Sequence, residues 1–350
     1  VTGKKYLVIL LIILICSNCK NRPLTDSDSG GFLNSPKQNI VLINVDDLGY
    51  GDLSCYGATR VSTPNIDKLA TQGCSFIDSH SCSAVCSPSR YGLMTGRYPS
   101  RSDLYYPVFA RVPSIVDTSC MTIARVMKQA GYATAAIGKW HLGFGTEQPV
   151  DWKMGHHMNS DKLLGFKFDA WEGGNLVPFI ARWPGKIKPG TTSNELLSNV
   201  DLLATFAAIT GYMLKDGEGP DSYNGLPSLL GTVEKPVRDF LVISPAQKKN
   251  LAIRKGKWMH ISSQGGGGFT GQNIGDHGLG GAAATLLTGQ VNSDIEKGQI
   301  KPGAPRAQLY NLEEDLAENR NLYHEYPRVV EELEALLHSA INENESTRPQ

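Results

Sequence analysis

NIVLINVDDLGYGD, residues 39–52, is the stretch on which the fold turns. A short β-branched apolar run stops abruptly at paired acids and glycines, which reads as a buried strand whose carboxyl end carries Asp46 and Asp47. Working outward, TPNIDKLATQGCSF (63–76) has a helix pattern, with Thr63 as its cap and Pro64 in the first turn. CMTIARVMKQAGYATAAIGKWHLG (120–143) then gives a helix, a glycine stop and a strand that again ends in polar residues. Alternation of this kind predicts an α/β fold with a mostly parallel sheet flanked by helices. Ligands of such sheets collect at the carboxyl ends of the strands, where both polar clusters fall.

Further along, VPFIARWPGKIKPG (177–190) predicts a strand and a turn, and NVDLLATFAAITG (199–211) a helix closed by Gly211. Residues 212–232 form a loose region rich in Gly, Ser and Asp. LVIS (241–244), LAIRKGKWMHIS (251–262) and QLYNL (308–312) read as a small antiparallel sheet. The glycine-rich span 264–281 reads as a mobile loop, because its GGGG lacks the strand and helix context of a phosphate cradle. YPRVVEELEALLHS (326–339) sets Val329, Val330, Leu333, Leu336 and Leu337 on one face of a packing helix. The expected organisation is a leader (1–24), a linker (25–37), a catalytic domain (38–215) and a C-terminal α+β subdomain (216–350) made of an antiparallel sheet and a helix.

With 350 residues, zero formal net charge and 41% hydrophobic residues, the composition is globular. It lacks the basic field that a nucleic-acid partner requires. Lys4 and Lys5 precede an apolar run from Tyr6 to Cys16 that is short for a bilayer span, which is the shape of a signal peptide. Cys16 and Cys19 end that run where a lipoprotein would be cleaved and acylated. The expectation is export to the periplasm or cell surface, with a lipid anchor at the N-terminus as one form of it and a single membrane anchor as the alternative. Seven cysteines occur, and five remain once the first two are assigned to the leader, so at least one is unpaired within the chain. Cys86 is the candidate for that one, whereas Cys55 and Cys74 suit buried, inert positions.

Three clusters carry chemistry. Adjacent carboxylates repel, so Asp46 and Asp47 are most simply stabilised by a bound cation, which hard oxygen ligands would make Ca2+ or Mg2+; taken alone, the pair reads equally as turn acids. In CSPSR (86–90), Pro88 and its flanking serines suit the first turn of a helix, placing Cys86 by unpaired N–H groups with Arg90 one turn on. A thiol phosphatase loop would want an arginine six residues after the cysteine, where this chain has Gly92. In GKWHLG, Lys139 and His141 share a face if the segment is extended, so that a fixed cation could hold an anionic oxygen while an imidazole handles a proton.

Together with KFDAWEGGNLVPFIARWPG and QLYNLEEDLAENRNLY, these stretches resemble the type I sulfatases, the arylsulfatase branch of the alkaline phosphatase superfamily. The resemblance runs from about residue 38 to the C-terminus. It implies an alkaline-phosphatase-like fold and hydrolysis of sulfate esters, on small molecules or sulfated glycans. It also implies that a separate maturation enzyme oxidises Cys86 to formylglycine, and that Asp46 and Asp47, with residue 86, hold Ca2+. On the same basis Arg90 would support the modified residue, Lys139 and His141 would contact it and the sulfate, and Lys167 would be a second sulfate-binding lysine.

The family pattern also includes an Asp–Asn pair that completes the calcium site, and no Asp–Asn dipeptide occurs in this sequence. The chain passes from HLGFGTEQPVDW almost directly to KMGHHMNSDKLLGFKFDAWEGG, which reads as an internal deletion near residue 152 or 153. The spacing of His156, His157, Asn159 and Asp161 does not restore the missing motifs. Two functions therefore stand side by side: an active sulfatase, and an impaired sulfatase remnant that at most binds anions or glycans. A phosphoesterase would carry Ser or Thr at position 86 and more metal-binding His and Asp.

Overall fold

In the computed structural model, residues 37–108, 112–143, 163–268, 280–341 and 346–348 are described. The first part of the chain forms α1 (Pro64–Thr71), β1 (Cys74–Phe76), β2 (Ser79–His80), α2 (Cys86–Thr95) and α3 (Ile123–Gln129). The middle forms α4 (Glu172–Asn175), β3 (Phe179–Ala181), β4 (Thr191–Ser193), β5 (Leu197–Ser198), α5 (Leu202–Thr210) and α6 (Leu226–Leu230). The last part forms β6 (Phe240–Ile243), β7 (Ala252–Lys255), β8 (Trp258–Ile261), α7 (Thr285–Thr288), β9 (Ile295–Glu296), β10 (Gln299–Ile300), β11 (Gln308–Asn311) and α8 (Pro327–Ala340).

The α/β character lies in short parallel pairings: β1 runs parallel to β4 and antiparallel to β3, and β2 runs parallel to β5. The C-terminal sheet is antiparallel in the order β11-β8-β7-β6. Helix α8 covers it with Val330, Leu333 and Leu337, all buried, as the 3.6-residue spacing requires. The same core takes in Cys82, Tyr98 and Trp171, so the stretch leading into α2 is packed directly on this sheet. A second core sets α3 and α5 together with Leu93 of α2.

Several local expectations hold for the physical reasons given. Pro64 occupies the start of α1 and Gly211 closes α5 with φ at 72°, while Thr122, which the sequence reading did not single out, caps α3 by accepting from the Arg125 N–H at 3.2 Å. Thr63 stands at the start of α1 but does not cap it through its side chain; its hydroxyl donates instead to Asp67 at 3.0 Å. The loose region contains the short helix α6, which Pro227 starts and Gly231 ends.

Two expectations need correction. Residues 39–45 form no ladder with any described strand, and they are not buried: Val41 and Val45 are each 39% exposed. Residues 133–138 behave likewise, with Ile137 at 99%. The apolar run specifies an extended backbone, but a strand also needs neighbours to take its N–H and C=O groups, and among the described residues none lies alongside. The glycine-rich span is described only at its two ends, and these are anchored. Ala170 N–H donates to the Gly266 carbonyl at 2.6 Å and Gly281 N–H to Asp169 at 2.6 Å. A Cβ on Gly266 would come within 2.4 Å of the Trp171 ring, so only glycine fits. Residues 269–279 lie outside the described residues, as do 1–36 and the 144–162 stretch that holds the inferred deletion.

Two buried ion pairs tie the halves together. Arg101 grips Asp221 through Nε and Nη2 at 2.7–3.0 Å, and Arg238 pairs with Asp201 while donating to the Tyr98 hydroxyl at 2.8 Å. All four charged groups are buried, so each depends on its partner's charge. No helix among the described residues is long and apolar enough to cross a membrane.

Candidate active site

Residue 86 is the first residue of α2, and three backbone contacts fix where it points. Ser244 N–H donates to Cys82 C=O at 3.0 Å, Phe168 N–H to Ala84 C=O at 3.1 Å and Ala246 N–H to Phe168 C=O at 3.0 Å. Residues 82–84 are thereby held between the loop after β6 and the turn that carries Lys167. Asn199 completes the clamp: its side-chain oxygen accepts from Cys82 N–H at 2.9 Å and its amide donates to the Ser89 hydroxyl at 2.9 Å.

Around this point the structure gathers six of the seven residues singled out in the sequence. Asp46, Asp47 and Cys86 each offer one donor atom, all within 4.8 Å of one another. Arg90 reaches Asp46 at 3.1 Å and the Lys139 carbonyl at 2.6 Å. Lys139 Nζ sits 2.5 Å from the other Asp46 oxygen, and Lys167 Nζ 2.6 Å from Asp47 while also approaching the Cys86 thiol. The seventh, His141, stands beside Lys139, Arg90 and Asp46, with its ring bonded to the Val108 backbone. His141 has φ at 56°, so the plain extended run that would align it with Lys139 is broken there.

The electrostatics follow from this packing. Burial resists ionisation of Asp46, but Lys139 and Arg90 outweigh it and hold the carboxyl below its ordinary value. Burial pushes the Cys86 thiol up, and Asp46 adds to this against the pull of Lys167 and Lys139. The thiol is therefore protonated at neutral pH, unlike the depressed thiolates of cysteine nucleophiles. Burial and Lys139 lower the His141 pKa, leaving the imidazole neutral near pH 7. Burial also disfavours the charged form of Lys167, yet Cys86 and Asp47 overcome this and raise its pKa.

Three of the six non-glycine residues with positive φ among the described residues are Asp47, His141 and Phe168, each at or next to this cluster. Backbone strain of about 1–3 kcal/mol per residue persists only where surrounding contacts enforce it, and it concentrates at functional sites. A cavity of about 260 Å3 opens from Asp46, Asp47, Cys86, Arg90 and Lys167.

Residues that the motif reading passed over support the cluster from below. His80 bonds Glu172 at 3.2 Å and Arg254 at 3.2 Å, Arg254 pairs with Asp78 at 2.5 Å, and the Glu172 N–H donates to Glu318 at 2.8 Å. Asp169, two residues from Lys167, is buried, accepts from Phe166 and Gly281, and is pushed up to about 7 by burial. Their signal in the sequence is a charged residue inside an apolar run, which does not distinguish a packed polar group from a solvated one.

The two carboxylates suit a hard divalent ion in kind, the Cys86 sulfur beside them does so only once an oxygen replaces it, and the set supplies fewer than the 6–8 oxygens that Ca2+ takes.

The family model described as Sulfatase matches residues 38–162, which contain every one of these seven residues except Lys167. An N-acetylgalactosamine-6-O-sulfatase of Bacteroides thetaiotaomicron is 44% identical over 157 residues, 45% of this chain and 30% of that protein. Human arylsulfatase A is 39% identical over 173 residues, 47% of this chain and 33% of that protein. The chain thus spans about a third of the length of these curated relatives. Among solved structures, one from a Bacteroides thetaiotaomicron locus for metabolism of multiple glycosaminoglycans superposes with a TM-score of 0.68 at 23% identity, over 85% of this chain and 97% of that one. A sulfatase from Pseudoalteromonas sp. gives 0.65 at 16% identity, over 85% and 88%. At these identities the superpositions establish the shared alkaline-phosphatase-like α/β fold.

Proposed function

We propose that this chain, a member of the sulfatase family in the alkaline-phosphatase-like superfamily, hydrolyses sulfate esters at residue 86. The observation that carries this reading is the convergence of Asp46, Asp47 and Cys86 within 4.8 Å, ringed by Arg90, Lys139 and Lys167. Formylglycine at position 86, made from Cys86 by a maturation enzyme, would supply a nucleophilic oxygen there. Asp46, Asp47 and residue 86 would hold calcium, which would supply Lewis acidity.

The chain's own groups do the rest. Lys139 and Lys167 stand at neighbouring acids, so a tetrahedral anion bound by both meets two ammonium groups that compensate charge shifting onto its oxygens. Arg90 anchors the Lys139 segment through its carbonyl and keeps both in register with α2. The neutral imidazole of His141 is poised to take or return a proton. The glycosaminoglycan and glucosamine-disulfate contexts of related structures favour a sulfated glycan or its fragments as substrate. On this reading the protein is exported to the periplasm or cell surface, a lipid anchor at its N-terminus being one form of that export.

A second reading, an impaired remnant that binds anions or glycans without turnover, is favoured by one observation: the two stretches that flank the site, 39–45 and 133–138, lack strand partners among the described residues. One assay separates them. Protein co-produced with a maturation enzyme is given an aryl sulfate and a 6-O-sulfated amino sugar in the presence of calcium. Sulfate release that Cys86→Ala abolishes supports the hydrolase; no release, with sulfate still bound, supports the remnant.

A further inference from the structure

Both acids of the site are paired with the chain's own lysines, and Asp46 with Arg90 as well. Asp46 is held by Lys139 at 2.5 Å and Asp47 by Lys167 at 2.6 Å. The lysine that could hold an anion is in each case the counter-ion of the carboxylate that could hold a cation. An ammonium on a flexible four-carbon stem is a point charge that can change partners without backbone movement. These side chains are about a quarter exposed, so the exchange needs no unpacking.

We propose that Lys139 and Lys167 are exchangeable counter-ions that couple the two halves of the site. A divalent cation on Asp46 and Asp47 displaces both ammonium groups, and the displaced groups then form the receptor for a tetrahedral oxyanion. Without the cation the lysines stay on the acids and the anion receptor is closed; without an anion the lysines compete with the cation. Cation and anion therefore bind with positive cooperativity, each strengthening the other by the same factor, as linkage demands. Arg90 does not exchange, because its second nitrogen is tied to the Lys139 carbonyl at 2.6 Å. The inference rests on the site reading given under Proposed function and adds to it the order and mutual dependence of binding.

The test is calorimetric and independent of turnover. Calcium is titrated into the full chain with and without saturating inorganic sulfate, at constant ionic strength, and sulfate is titrated with and without calcium. The expected result is at least a tenfold tightening in each direction, by equal factors. In Lys139→Met/Lys167→Met, calcium binds more tightly than to the wild type when sulfate is absent, and the effect of sulfate falls below about twofold. Lys167→Met alone, which keeps one pair intact, lies between. Calcium binding that sulfate does not strengthen overturns the exchange while leaving the metal site standing. So does coupling that persists undiminished in the double variant, since it would then come from the ion's field alone. A chain that binds no calcium under any condition overturns the exchange and the site reading together.

Discussion

At the scale of single residues, chemistry was legible wherever the side chain's role is stated by its company. Paired acids, a cysteine before proline and arginine, and Lys139 close to His141 gave a cluster whose members do meet, apart from His141, which stands to one side. Asp169 was not legible, because its significance lies in total burial among backbone N–H groups, one of them contributed by Gly281, 112 positions away. Its behaviour is nonetheless calculable. With a folded pKa of about 7 against 3.8 when unfolded, the folded state holds a proton that the unfolded chain gives up across that interval. Its contribution to stability is thus complete below the lower value and is lost as pH rises through about 7, on the order of 4 kcal/mol in all. Urea unfolding of the wild type and Asp169→Asn at pH 4.5 and 7.5 checks this. The wild type loses ground relative to the variant as pH rises, and a difference independent of pH would remove Asp169 as the titrating group.

Among the elements, helices were read best because their signals are local: Pro64 begins α1 and Gly211 ends α5. The two stretches expected as strands show the limit of such reading, since an extended apolar run forms a sheet only with neighbours that its own residues do not specify. Helix α2 carries residue 86, and its seat depends on a close approach that only glycine permits. A Cβ on Gly92 would lie 2.3 Å from the buried Cys82 sulfur. Gly92→Ala therefore destabilises the protein by about 1–3 kcal/mol, overriding the gain of about 1 kcal/mol that alanine brings inside a helix. A shift of the denaturation midpoint measures it, and a variant as stable as the wild type would mean that α2 can move away from Cys82 at little cost.

For the molecule as a whole, the alternation of patterns indicated an α/β fold, and the superposed structures bear this out. How the halves are joined was hidden, because Arg101 with Asp221 and Arg238 with Asp201 are separated by 120 and 37 positions and read singly as surface charges. Arg101→Met leaves Asp221 buried with its main counter-charge gone, and the expected loss is about 3–5 kcal/mol by urea unfolding. A loss under 1 kcal/mol would show that water or a neighbour relieves the acid. These joints lie at the far end of α2, where the Asp221 N–H donates to the Gly96 carbonyl at 2.9 Å. The identity of residue 86 is where the functional account is most exposed. The most direct measurement is the mass of the peptide spanning Ser83–Arg90 after production with a formylglycine-generating enzyme. An aldehyde in place of the Cys86 thiol is the predicted result; an intact thiol, when a control substrate of the same enzyme is fully converted, would contradict it.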